Sequence, residues 1–591
     1  MKLSDYVIDF IARQGVSHIF EMTGGAIVHL LDSVYDREDM ECISVHHEQA
    51  GAFAAEGYSR INGKLGVAMA TSGPGALNML TGIGSCYFDS IPCLFITGQV
   101  NTYEYKFDQP VRQNGFQETD IVSVTKPITK LAEMVTDASQ IRYSLERAVF
   151  IAQHGRPGPV LLDIPMNIQR AQIDPANLAS FYGSEEHLGY PDYRKPCSSE
   201  VLQSIIKLLR QSKRPMVLAG GGVRAADAVE ELRLFAEACN VPVVSSLMGI
   251  DVLPFSHPLS AGLIGSYGNR YSNLALANCD LLFVLGSRLD TRQTGTKPET
   301  FARGAKKIHV DVEDVQQYGK VKADLVIRSD VKQFLIDLNK ALGVSKQEDY
   351  SDWHKIIQHY KHKYPSGTYS ATEKINPNRF MQLLSSRSGE NDIIVLDVGQ
   401  HQMWASQSFE LRKGQRLLNA GGMGAMGFAL PAALGAGIMA PDRKVIVIAG
   451  DGGLQVNLQE LHTIASLGLA IKIFVMNNHN LGMVRQFQDL YLNGRQQSTV
   501  KGYGYPDFVK VAHAFGIQAA RIDSFEEAEA GIHSALHSEG CFLLEVNLEL
   551  QTAVNPKLMV NRPIEDMYPH LDREELIEEM LVEPLADLLG D

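Results

Sequence analysis

Two hydrophobic rhythms alternate along the chain. Residues 3–14 place apolar side chains at helical spacing, Gly15 ends them, and residues 16–20 form a short apolar run that reads as a buried strand. The strand signal returns at residues 66–70, 92–98 and 159–164. A second series lies at 215–219, 241–245, 281–285 and 307–312, and a third at 392–397, 444–449, 471–476 and 542–546. Continuous apolar runs separated by helix-length segments predict mostly parallel sheets flanked by helices. Polar sequence around 171–198 and charged sequence around 345–370 read as linkers. The expectation is an α/β chain of three consecutive domains, 1–180, 195–345 and 370–550, followed by a tail, 551–591, that is acidic and partly helical from Ile564. The common rhythm suggests three related sheets.

Charge and cysteine content narrow the partners. A net charge of −14 without any Lys/Arg-rich run argues against nucleic acid. No apolar run is long enough to span a bilayer, and the opening MKLSDYVIDFIARQG lacks the apolar core of a signal peptide. Seven cysteines, an odd number with no CxxC pair, suit reduced thiols in the cytoplasm rather than disulfides or a zinc site.

The chemistry is densest in KVIVIAGDGGLQVNLQELHTIASLGLAIKIFVMNNHN, residues 444–480. An apolar strand ends in Gly450-Asp451-Gly452-Gly453, a helical stretch follows, and a second strand ends at Asn478. Alone, GDG reads as readily as a glycine turn with an Asp helix cap. Two adjacent parallel strands would instead bring Asp451 and Asn478 together at the carboxyl edge of a sheet, where ligands bind in open α/β folds. One carboxylate, one amide oxygen and one backbone carbonyl suit octahedral Mg²⁺ completed by phosphate oxygens. The N–H groups of Gly452 and Gly453 suit the anion.

GDG followed after one helix by NN resembles the motif of thiamine-diphosphate enzymes. The words GQHQMWA (399–405), GGMGAMGFALPAALGA (421–436) and NLGMVRQFQ (480–488) are similar to the acetolactate synthase branch, including carboligases of branched-sugar biosynthesis. EQAGAFAAEGYSR, TSGPG, FQETDI and GRPGPVLLDIP extend the resemblance over nearly the whole chain, with the middle block weakest. It implies a pyrimidine, central and diphosphate domain order, thiamine diphosphate with Mg²⁺, and FAD in the central block. That FAD would be structural or vestigial, because carboligation transfers no net electrons.

The resemblance also assigns residues. Glu48 becomes the carboxyl that activates the aminopyrimidine, reaching the cofactor of a neighbouring subunit, so that the active unit is a homodimer or homotetramer. Gly424 offers its carbonyl to N4′ and Met426 is the wedge that bends the cofactor. Phe116 and Gln117 line the reaction pocket. Val398, Gly399, Gln400 and His401 resemble the diphosphate stretch, and Gly25, Ala26, Pro74 and Asn78 belong to the cofactor-binding set. Asp451, Asn478 and Asn480 form the metal set, with Leu481, Gly482 and Met483 beside it. The FAD set comprises Arg156, Gly220, Gly221, Gly222, Ser246 and Leu247, then Gly265, Ser266, Tyr267, Arg288, Asp290 and Arg292, and finally Asp311, Val312 and Asp330. His46 and His47 read as structural. GGMGAMG also fits a dinucleotide fingerprint, but it lacks the leading strand and the distal acid.

Departures from the family cluster near the acceptor side. Met166 replaces a Lys, Phe487 replaces a Trp, Glu21-Met22-Thr23 replaces Gly-Tyr-Pro, and Leu289-Asp290-Thr291-Arg292 replaces FDDR. The implied reaction is decarboxylation of pyruvate and carboligation of the hydroxyethyl carbanion to a carbonyl acceptor: pyruvate or 2-oxobutanoate, or alternatively a keto-sugar nucleotide. A non-catalytic relative would lack Glu48, Asp451 or Asn478; all three are present.

Overall fold

A computed structural model describes residues 1–343, 349–366 and 374–585. Its strands form three six-stranded sheets, all parallel internally, and one small antiparallel pair. The first sheet uses β1 (His18–Met22), β2 (Glu41–Ser44), β3 (Gly66–Ala70), β4 (Cys93–Gln99), β5 (Leu131–Met134) and β6 (Val160–Pro165), in the order β2-β1-β3-β4-β6-β5. The second uses β7 (Pro215–Ala219), β8 (Val243–Ser245), β9 (Ser260–Leu263), β10 (Leu281–Leu285), β11 (Lys306–Asp311) and β12 (Leu325–Arg328), in the order β12-β11-β10-β7-β8-β9. The third uses β13 (Ile393–Leu396), β14 (Arg416–Asn419), β15 (Val445–Gly450), β16 (Ile471–Asn477), β17 (Gln518–Ile522) and β18 (Phe542–Asn547), in the order β14-β13-β15-β16-β18-β17.

The outer sheets share one strand order and the middle sheet has another, so the expected kinship of all three holds for two. The twelve strands read from sequence are the four central strands of each sheet, with ends displaced by at most two residues. The six edge strands carry no such signal.

The outer sheets are joined by a common core. Phe20, Phe53 and Phe95 from the first meet Phe428, Val447 and Leu543 from the third in one apolar cluster. Its centre is the crossing of the Glu48–Asn62 helix with the Ala429–Met439 helix. A Cβ on Gly57 would lie 2.1 Å from the Ala432 carbonyl oxygen, and one on Gly435 would lie 1.9 Å from that of Ala54. Only glycine permits backbones to approach so closely.

Two expected linkers are structured. Across 171–198, Phe181, His187 and Tyr190 pack their rings around Phe150. Within 345–370 runs the helix Ser351–Lys363, whose Trp353, Ile357 and Tyr360 join the middle core; residues 345–348 and 367–370 lie outside the described set. The tail is not a separate layer. Strands β19 (Lys557–Leu558) and β20 (Met567–Tyr568) pair antiparallel, and Ile564, Leu576 and Met580 enter the middle core.

Candidate active site

Strand β15 pairs in register with β16, Gly450 opposite Met476, so Asp451 and Asn478 are the first residues beyond two adjacent strand ends. Both are buried, at 2% and 4% exposure. The two asparagines of NN diverge. Asn477 Nδ2 donates to Glu545 Oε1 across the sheet (2.7 Å), whereas Asn478 Nδ2 donates to Gln400 Oε1 (2.7 Å), so that among the described residues the Asn478 amide oxygen is left to meet a cation. Asn480 spends its side chain on the loop: Nδ2 donates to the carbonyls of Asn478 and Leu550, and Oδ1 accepts from Arg485 Nε. Only its backbone carbonyl remains as a ligand. Burial pushes the Asp451 carboxyl up to about 7 against a hydrogen bond from the Tyr503 hydroxyl (2.9 Å). A divalent cation at this carboxylate would favour its charged form.

The diphosphate side is equally built. A Cβ on Gly399 or Gly450 would fall 2.5 or 2.7 Å from the His401 ring. That ring is buried, its pKa lowered to about 3 by desolvation, and Nε2 has no partner among the described residues. A neutral imidazole with an orphaned nitrogen beside two glycine turns fits an anion that would accept its hydrogen bond. Gly453 stands close to Asp397, Gly452 to Leu481 and Met426, and Gly482 to the Gln400 amide. Met483 packs on the outer core of the third sheet.

The loop that carries Gly424 and Met426 is clamped at both ends by carboxylates absent from the sequence reading. Asp89, from the first domain, accepts from the N–H groups of Gly421 (2.9 Å) and Gly422 (2.6 Å) and pairs with Arg60. Asp397 accepts from Gly427 (3.0 Å) and Ala429 (2.9 Å), and from Val398 beside it (2.8 Å). Between the clamps, Gly424 is left-handed (φ 68°) and Met426 stays 36% exposed. Neither Asp89, Asp397 nor Tyr503 lies in a recognisable motif. Their position past a strand, as for Asp397 after β13, was the signal available.

Glu48 opens its helix, 8% exposed, with Asn78 Nδ2 donating to Oε2 (2.9 Å). A Cβ on Gly75 would sit 3.2 Å from its other oxygen, so Pro74 and the TSGPG turn wall the carboxyl. The turn reaches the loop of Phe116 and Gln117: a Cβ on Gly73 would lie 2.8 Å from the Gln117 carbonyl oxygen. Gln117 is left-handed (φ 65°) and Phe116 is 86% exposed. Ala26 donates its N–H to Thr71 (3.2 Å), and Gly25 faces open space. Within one chain no hydrogen bond joins Glu48 to Asp451, Asn478 or Asn480 among the described residues.

A cavity of about 820 Å³ opens at the middle sheet, where the strand order reverses between β7 and β10. Arg156, Gly221, Gly222, Ser246, Leu247 and Tyr267 line it, as do Arg288, Asp290, Arg292, Asp311, Val312 and Asp330. Gly220, Gly265 and Ser266, expected with them, are not on its wall. Gly220 is pressed against Gly286, Gly265 is pressed against the Arg292 carbonyl, and Ser266 gives its own carbonyl to Leu558 N. Arg156 both lines the cavity and bridges domains, donating to Ser90 Oγ and pairing with Glu313. Of the acceptor-side departures, Phe487 is half exposed against Tyr491, with ring centroids 4.7 Å apart, and Met166 begins a short helix after β6. Glu21 instead turns inward, 3% exposed, accepting from Ser44 Oγ.

Comparison with known proteins decides the family. Models of the thiamine pyrophosphate enzyme N-terminal binding domain, central domain and C-terminal binding domain match residues 1–124, 202–338 and 397–546. The chain belongs to the thiamine pyrophosphate enzymes, in the acetolactate synthase family. It is 37% identical over 527 residues to the acetolactate synthase large subunit of Lactococcus lactis subsp. lactis, covering 88% of each chain. It is 37% identical over 580 residues to acetolactate synthase 1, chloroplastic, of Zea mays, covering 96% of this chain and 88% of that one. It is 38% identical over 571 residues to acetolactate synthase 3, chloroplastic, of Brassica napus, covering 94% and 85%. No helix among the described residues is long and apolar enough to cross a membrane.

Proposed function

We propose that this thiamine pyrophosphate enzyme decarboxylates pyruvate and joins the retained two-carbon unit to a carbonyl acceptor, as an acetolactate synthase-like carboligase. The reading is carried by the register of β15 and β16, which leaves Asp451 and Asn478 side by side past their ends. Asp451, the Asn478 amide oxygen and the Asn480 carbonyl would hold Mg²⁺. The Gly452 and Gly453 N–H groups, Gln400 and His401 Nε2 would face the diphosphate. Thiamine diphosphate, when bound, supplies a nucleophilic carbon and an electron sink for loss of CO₂.

The chain's own residues do the rest. Glu48 would hold a proton toward the aminopyrimidine nitrogen of the cofactor and so act as its activating acid. Gly424, fixed in its left-handed conformation, would offer its carbonyl to the aminopyrimidine amino group, and Met426 would support the ring. Phe116 and Gln117 exclude water and orient the acceptor. By the family resemblance the active unit would be a homodimer or homotetramer in which Glu48, which among the described residues makes no hydrogen bond to the metal set of its own chain, serves the partner's cofactor. Phe88, Met423 and Met426, all exposed, provide apolar surface for that contact.

FAD suits the cavity at the middle sheet. Its volume falls in the range of ligand sites, and arginines 156, 288 and 292 offer charge to a diphosphate while Asp311 and Asp330 offer acceptors to ribose hydroxyls. Seven free cysteines suit a reducing compartment such as the cytoplasm. Met166 and Phe487 favour a second reading, in which the acceptor is a keto-sugar nucleotide. Mass spectrometry of products from labelled pyruvate, thiamine diphosphate, Mg²⁺ and FAD, with and without such an acceptor, separates the two. Failure to release labelled CO₂ sinks both.

A further inference from the structure

Strand β4 and the helix Ile121–Thr125 are joined by residues 100–120, which contain no helix or strand. A connection of that length inside a folded domain is uncommon and needs something to hold its shape. Its far end gains little from packing. Phe116 is exposed, and the Gln117 side chain has no hydrogen-bond partner among the described residues. Yet Gln117 is held left-handed (φ 65°), a conformation that strains most residues other than glycine. The place of this pair is therefore set through the backbone.

Glu118 sets it. The residue is 5% exposed and has no ion-pair partner among the described residues. Asp251, Glu545 and Glu565, buried as well, each pair with an arginine. Glu118 gives its carboxylate to backbone amides instead. Oε1 accepts from Lys106 N (2.8 Å), and Oε2 accepts from Asn114 N (2.6 Å) and Gly115 N (3.1 Å). Its own N–H donates to Gly115 O (3.2 Å), and its carbonyl accepts from Gln113 Nε2 (3.1 Å). Residues 106–118 are thus drawn into a ring around one side chain, by charge-assisted bonds about twice as strong as neutral ones. Phe116 and Gln117 close that ring. Before them, a Cβ on Gly115 would fall 2.9 Å from Val100, so the chain is pressed against the residue after β4. After them, Thr119 O accepts from Gln99 Nε2 (2.8 Å). The two side chains keep rotamer freedom while the backbone that carries them is fixed.

We propose that Glu118 is a positioning residue for carboligation: through Phe116 and Gln117 it decides whether the retained two-carbon unit meets the acceptor or water. This role rests on the carboligase reading above. Glu118 touches no substrate; its three amide bonds hold the wall that does. With the wall loosened, the two-carbon unit takes a proton and leaves as acetaldehyde. The signature is therefore a product ratio, which does not depend on how much of the enzyme is folded.

The test uses the full chain with thiamine diphosphate, Mg²⁺ and FAD, with labelled pyruvate as donor and 2-oxobutanoate or a nucleoside-diphosphate keto sugar as acceptor. Glu118→Gln keeps the length of the side chain but leaves one acceptor oxygen in place of two. It raises acetaldehyde released per ligated product by about tenfold, the effect of one charged hydrogen bond. KM for the acceptor rises by a similar factor, while release of labelled CO₂ stays within about threefold. Glu104→Gln is the control: that carboxylate accepts from Asn101 N and Nδ2 at the start of the same loop, and its loss leaves the ratio unchanged. Gly115→Ala keeps the Glu118 carboxylate but forces the chain off Val100. It moves the ratio the same way, and it judges the proposal if Glu118→Gln does not fold. A readout without turnover is hydrogen–deuterium exchange of peptides covering residues 104–119, faster by about tenfold in Glu118→Gln. An unchanged product ratio in the folded variants, or unchanged exchange, overturns the proposal. Wild-type enzyme that releases no labelled CO₂ overturns the functional reading and this role with it, whereas CO₂ release with an unmoved ratio overturns this role alone.

Discussion

The first and third sheets have the same strand order but carry opposite halves of the chemistry. The first places an acid, Glu48, on the helix after β2. The third places a metal-binding carboxylate after β15 and an amide after β16. The contrast repeats on the strand next to one edge. Asp163 on β6 is buried with only neutral donors, Thr97 Oγ1 (2.7 Å) and Gln99 Nε2 (2.9 Å), and burial pushes it up to about 7. Glu545 on β18, in the matching place, is buried too but pairs with Arg521 (2.8 Å). One topology therefore tolerates a buried carboxyl either by keeping its proton or by supplying a cation, and the use of each edge follows from local side chains rather than from the fold.

The sharpest way to break the comparison is to disable each edge separately. Asp451→Ala should weaken Mg²⁺-dependent cofactor binding more than about 100-fold, beyond the effect of losing an outer partner of a metal site; titration calorimetry with and without Mg²⁺ measures it. Glu48→Gln should leave that affinity within a few-fold but lower turnover by roughly 10²–10⁴. Near-normal turnover would remove Glu48 from the mechanism.

The carboxyl pair gives the next effect. Asp163 holds its proton more tightly folded than unfolded, so its contribution to stability is full below about pH 4 and is lost as pH rises through about 7. Asp163→Asn should remove a pH-dependent penalty on the order of a few kcal/mol between those limits. The gap between denaturant melts at pH 5 and pH 8 should then shrink, while Glu545→Gln leaves Arg521 with only the longer Asp507 contact (3.4 Å) and destabilises at both. The smallest effect is expected at the acceptor side, where Met166→Lys should improve pyruvate as acceptor by a few-fold, about 1 kcal/mol or less, as for an exposed charge. An unchanged acceptor KM would detach Met166 from specificity.

How much of this was legible in the sequence follows from burial. The central strands, such as VIVIAG and IKIFVMN, are buried on both faces and read as unbroken apolar runs. The edge strands are short and mixed, as in LAEM of β5 and QAARI of β17, and one exposed face erases the signal. The metal set was legible because its residues sit in two words one helix apart. Asp89 was not, because it serves a loop 332 residues away and its own neighbourhood says nothing of that partner.

The glycine crossing of the two central helices has a consequence for how the chain comes apart. Since the outer lobes share one apolar interior and the middle lobe has another, heating should melt the chain in two steps, not three. Ligands of the outer lobes would shift one calorimetric peak and a flavin chiefly the other. Gene fragments cut between lobes should likewise yield a foldable middle piece but leave either outer piece with one face of its sheet uncovered.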